Sequence, residues 1–123
     1  MIKGYKGIEP NIHENVFVAD SADIIGNVTI GKNANIWYNV VIRADESSIT
    51  IGENTNIQDG CVVHICHDAP TIIGNNVTIG HKALIHGCKI GDNTLIGMGA
   101  IVLDGAKVGE STLLAAGSLV PPG

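Results

Sequence analysis

Residues 12–42, IHENVFVADSADIIGNVTIGKNANIWYNVVI, carry an aliphatic side chain at every sixth position: Ile12, Val18, Ile24, Ile30, Ile36 and Ile42. Two shorter series follow, Ile51, Ile57, Val63 and Ile73, Ile79, Ile85, and then a longer one, Ile90, Ile96, Val102, Val108, Leu114, Val120. A helix repeats its buried face every 3.6 residues and a strand every 2.0, so neither accounts for a period of six. A short strand followed by a bend, repeated, does. Four residues after most of these aliphatics stands a small or β-branched residue, such as Ala22, Val28, Ala34, Val40, Thr55, Cys61, Val77, Ala83, Thr94, Ala100 and Ala106. Each hexapeptide thus offers one large and one small inward position. With three sides per turn the coil closes into a triangular prism, an all-β parallel β-helix of about six rungs over residues 12–120. Each rung buries against its neighbour a core that it could not bury alone. Residues 1–11 read as an N-terminal cap segment of the same single domain, and residues 121–123 as a short tail. Glycine follows the aliphatic in Ile30-Gly31, Ile51-Gly52, Ile73-Gly74, Ile90-Gly91 and others, which predicts that the chain bends there.

The composition agrees with such a prism. The 123 residues include 19 Ile and 11 Val against 6 Leu, and the aromatics are limited to Tyr5, Phe17, Trp37 and Tyr38. A narrow interior filled by aligned Ile and Val has little room for rings, whereas a helical bundle would need more leucine. No stretch approaches the roughly 18 consecutive apolar residues of a membrane span, and the N-terminus lacks the apolar run of a secretory signal. The seven Lys+Arg are scattered and the net charge is −5, so no footprint for nucleic acid is present. Three cysteines cannot all pair within one chain, which fits a reducing, cytoplasmic setting.

The period of six fails at three places: between Ile42 and Ile51, between Val63 and Ile73, and between Ile85 and Ile90. The residues that open these breaks are Arg43, His64 and His86. They follow the sixth, ninth and twelfth hexapeptides and therefore form a column on one side of the prism, on consecutive rungs. Rungs lie about 4.7–4.9 Å apart, close enough for His64 and His86 to place two imidazole nitrogens on one metal ion at roughly 2.0–2.1 Å. His81 follows the eleventh hexapeptide and belongs to the adjacent side. It reaches such an ion only if prisms pack about a threefold axis, so that the His81 side of one chain faces the column of its neighbour. A solitary histidine is ordinarily a solvated surface residue; three at these register positions point to a metal site.

The segments Arg43-Ala44-Asp45, Asn56-Ile57-Gln58-Asp59-Gly60-Cys61-Val62-Val63-His64 and Ile79-Gly80-His81-Lys82-Ala83-Leu84-Ile85-His86-Gly87-Cys88 resemble the γ-class carbonic anhydrases of the hexapeptide-repeat superfamily, over essentially the whole chain. The resemblance implies a left-handed coil, which the spacing itself does not show and which general crossover rules would not favour. It implies a homotrimer in which His64 and His86 of one subunit and His81 of the next hold zinc, with ferrous iron or cobalt also suited to imidazole. It places Arg43 and Asp45 in an ionic network at the interface, and Asn56 and Gln58 beside the metal to orient solvent. The implied reaction is attack of metal-bound hydroxide on CO2 to give bicarbonate, with neither nucleic acid nor membrane as partner.

Several features depart from the prototype. The loop after His64 (Ile65-Cys66-His67-Asp68-Ala69-Pro70-Thr71) is short and holds no glutamate to shuttle protons, as in the shorter subclass of the family. Glu46 and His67 are the candidate shuttles. Cys61 and Cys88 read as core filler and Cys66 as an ordinary free thiol. His13 lies outside the register. The resemblance implies a C-terminal helix after a segment like Val120-Pro121-Pro122-Gly123, which this chain is expected to lack. Hexapeptide-repeat acyltransferases use acetyl-CoA and a single histidine base, and form the competing reading. A CoA thioesterase and a catalytically silent trimeric scaffold are further alternatives, because fold alone does not choose among them.

Overall fold

Each aliphatic of the period ends a short strand and stacks on its counterpart one turn away. In a computed structural model describing residues 1–123, these strands wind into an all-β, left-handed parallel β-helix with three faces and no helix. On the first face Ile24, Ile42, Val63, Ile85, Val102 and Val120 are in register. The second stacks Ile12, Ile30, Ile51, Ile73, Ile90 and Val108, and the third Val18, Ile36, Ile57, Ile79, Ile96 and Leu114. The central members are fully buried, and Ile12, Val18, Val108, Leu114 and Val120 at the ends are partly so. Each fully buried isoleucine contributes on the order of 1.5–3 kcal/mol. The aromatic residues stay outside the prism, where Phe17 and Trp37 pack with ring centroids 4.9 Å apart.

Three differences from the periodicity have physical causes. Ile2–Lys3 pairs with Ile24 and Ile25, so the first face has one more level than the six rungs expected, built from residues assigned to the cap. The left-handed backbone at the corners does not fall on the glycine after the aliphatic. It falls two residues later, at Asn15, Asn33, Asn54, Asn76 and Asn93 among others, and asparagine tolerates that conformation. The glycines serve close approach instead: a Cβ on Gly91 would lie 2.7 Å from the backbone nitrogen of Glu110 in the next rung. Finally, the break after Ile42 is spanned by strand. Val41–Ile51 is one continuous strand that rounds a corner, with Ala44 and Ile49 buried along it; its residues 45–48 stand against Asn27 alone, where the register with Asp23–Ile30 shifts between Gly26 and Val28.

Candidate metal centre

The column expected from the breaks is present. His86 pairs directly with His64 across adjacent rungs, and their ring centroids lie 5.0 Å apart. Their backbones are tied together from inside. The buried Thr71 hydroxyl donates to the His64 carbonyl at 2.5 Å and accepts from the Gly87 amide at 2.8 Å. The second break also closes tightly: Cys66 and Ala69 exchange two backbone hydrogen bonds of 3.0 Å, leaving His67 at the turn's tip, 79% exposed.

Each of the three histidines has a carboxylate on one ring nitrogen. Asp45 Oδ1 lies 3.0 Å from His64 Nε2, and its other oxygen accepts from the Arg43 guanidinium. Asp104 Oδ1 is hydrogen bonded to His86 Nδ1, and Asp59 Oδ1 lies 3.3 Å from His81 Nδ1. An ionised carboxylate only accepts, so in the neutral form of His64 or His86 the ring nitrogen bonded to it carries the proton and the other keeps its lone pair. Burial opposes ionisation of Asp45, but bonds from His64 and the backbone together with the Arg43 charge outweigh it and hold the carboxyl below its usual range. Asp104 is also held low, chiefly by its bond to His86.

The lone pairs left over meet. His64 Nδ1 and His86 Nε2 face each other at 3.1 Å. Two neutral imidazoles in these tautomers would oppose lone pair to lone pair, an arrangement that calls for a proton or a cation. Two nitrogens bound tetrahedrally to zinc at about 2.0–2.1 Å are roughly 3.3–3.4 Å apart, so the pair fits an ion with an adjustment of a few tenths of an ångström. Both side chains are reachable, at 22% and 29% exposed.

His81 stands on the neighbouring face. It lines an open depression of about 270 Å³ with Trp37, Asn56, Gln58 and Asp59. Asn56 and Trp37 both donate to Asn35 Oδ1, the latter at 2.7 Å. The sequence-predicted residues therefore divide into two groups, Arg43, Asp45, His64 and His86 on one face, and Asn56, Gln58 and His81 on another. No set of three or more ligating side chains converges on an ion within one chain. Glu46 is exposed and lines a second depression of about 300 Å³ with Tyr5, Lys6, Asp45, Ser47 and Ser48. Cys61 and Cys88 are buried as expected and Cys66 is only partly so.

Asp104 and Thr71 were not among the residues singled out in the sequence. A signal for Asp104 exists: the five-residue interval makes this turn 17 residues long, so Asp104 falls opposite Gly87 and beside His86. Thr71 falls inside a break, where the period gives no inward position.

The bacterial transferase hexapeptide family (six repeats) matches residues 9–44 and 87–122. A probable carbonic anhydrase of Methanocaldococcus jannaschii is 55% identical over 91 residues, 74% of this chain and 57% of that protein. A mitochondrial γ carbonic anhydrase of Arabidopsis thaliana is 49% identical over 101 residues, 77% of this chain and 36% of that protein. The chain thus spans about a third to three fifths of the length of these relatives. A crystal structure of a hexapeptide transferase family protein from Anaplasma phagocytophilum superposes with a TM-score of 0.96 at 48% identity, covering 100% of this chain and 72% of that one.

Proposed function

The chain belongs to the bacterial transferase hexapeptide family, and from that premise we propose that it is a γ-type carbonic anhydrase-like metalloprotein, hydrating CO2 reversibly to bicarbonate at sites shared between the subunits of a homotrimer. The observation that carries this reading is the approach of His64 Nδ1 to His86 Nε2 at 3.1 Å with a carboxylate behind each ring. The names of the two relatives described above support it.

In this reading His64 and His86 of one subunit and His81 of the next hold a divalent ion, zinc or else ferrous iron or cobalt. Such an ion would supply Lewis acidity, acidifying a water at its open position. The protein's own groups orient and relay. Arg43 holds Asp45, and Asp45 fixes the His64 ring. Gln58 and Asn56, beside His81, offer amide donors and acceptors to align water and CO2. Glu46 and His67 are exposed groups able to pass a proton to solvent. Val62, Ile101 and Leu119 are exposed along the face that carries the histidine pair, and this apolar edge suits an interface with a second copy.

Metal analysis of protein purified without added metal, with stopped-flow CO2 hydration of wild type and His64→Ala, tests the proposal. Stoichiometric metal and turnover are expected in the wild type, with both lost in the variant. A metal-free wild type would sink it.

A second reading draws on His81 alone: with Asp59 Oδ1 3.3 Å from its Nδ1 and its side chain lining a depression, it has the form of a general base for acyl transfer from acetyl-CoA. Acetyl-CoA turnover abolished by His81→Ala and untouched by His64→Ala would favour it.

A further inference from the structure

We infer that Asp104 is a positioning residue for His86: it selects the tautomer and ring angle that leave Nε2 free toward the ion. The inference rests on the metal reading of His64, His81 and His86. Four observations carry it. Asp104 comes from the rung beyond His86, two residues past the strand Ile101–Val102 that pairs with Leu84 and Ile85, so the register brings it opposite Gly87, from where its carboxylate reaches the adjacent His86 Nδ1. Gly87 clears the path, since a Cβ there would lie 2.8 Å from Asp104 Oδ1 and 2.8 Å from the Cys66 Cβ. The backbone at Asp104 is anchored by the amide of Gly123, which donates to its carbonyl at 2.8 Å. Finally, the carboxylate is the one acceptor bonded to His86 Nδ1, while Nε2 faces His64. A free imidazole samples both tautomers; one whose Nδ1–H is engaged by a carboxylate presents Nε2 to a ligand and is the more basic for it.

Removing such an outer partner of a ligating histidine typically weakens metal affinity about 10–100-fold. In Asp104→Ala the zinc dissociation constant, measured by chelator competition on the full chain, should rise by a factor in that range. Asp104→Asn keeps an acceptor for Nδ1–H and loses only the charge, so it should recover most of that loss. Imidazole 15N spectra of the metal-free proteins give an independent readout: His86 protonated at Nδ1 in wild type and Asp104→Asn, and a mixture of tautomers in Asp104→Ala. Unchanged affinity and an unchanged His86 spectrum in Asp104→Ala would overturn the role of Asp104 while leaving the metal reading intact. Equal loss in Asp104→Ala and Asp104→Asn, with unaltered tautomers, would assign Asp104 to folding rather than positioning. Failure of the wild type to bind zinc would overturn the metal reading and with it the positioning role.

Discussion

At the scale of single residues, side chains 18 to 22 positions apart become neighbours, because one turn of the coil consumes about that many. His64 meets His86 and His86 meets Asp104 in this way, and the same geometry takes Cys61 and Cys88 inside. Burial pushes both thiols up to about 11, where the protein interior penalises the thiolate. For an acid whose folded-state pKa is raised, the neutral form is favoured by folding. Its stabilising effect is complete below the unfolded value of about 8.5 and disappears as pH rises toward 11. Urea midpoints measured from pH 8 to 11 should therefore fall more steeply for the wild type than for Cys61→Ala/Cys88→Ala, compared as differences from each protein's own value at pH 8. Parallel profiles would refute the assignment. The histidine pair was legible in the sequence because both residues sit at breaks in a strict period. The carboxylates behind His81 and His86 were not, because an aspartate near a corner is by default a solvated turn residue, and only the stacking of rungs shows which ring it meets.

At the scale of the strand, the period gave the inward residues correctly but misplaced the bend. The glycine after the aliphatic looked like the hinge, yet the positive φ belongs to the residue two positions later, and the glycine is there because neighbouring rungs nearly touch. The two roles make different predictions. A Cβ on Gly52 would fall inside contact distance of the Gly74 carbonyl and of Asn75 Oδ1, whereas one on Gly109, at the same hexapeptide position after the strand Lys107–Val108, has its nearest neighbour at 3.8 Å. Neither glycine has a positive φ. Gly52→Ala should thus cost about 1–3 kcal/mol through overpacking, and Gly109→Ala should be neutral or slightly stabilising, as read by chemical denaturation. Equal costs would instead return the bend to these glycines. The continuous strand Val41–Ile51 was equally hidden, since a nine-residue interval breaks the period and names no inward position, whereas Ala44 and Ile49 are buried along it.

At the scale of the molecule, the two groups of site residues lie on different faces of one rigid prism, and this decides what kind of assembly the chemistry needs. His64 and His86 lie on the face that stacks Val63 on Ile85, and His81 follows the face that stacks Ile57 on Ile79. The stacked isoleucine core between those faces leaves no route for the rings to converge within one chain, so a three-histidine site requires a second copy whose His81 face meets the first copy's histidine column. Cyclic closure of such a heterologous contact gives equivalent sites at every interface. The consequence is complementation. His64→Ala chains keep an intact His81 face and His81→Ala chains keep an intact column, so each homomeric variant should lose metal and CO2 hydration. Mixed trimers formed by unfolding and refolding the two together should regain a part of both, because some interfaces then join an intact column to an intact His81. Sedimentation should place the species at a threefold multiple of the 12.8 kDa chain mass. Trimers that exchange subunits, verified by a mass tag, yet recover neither metal nor turnover would show that the two faces do not build a common site.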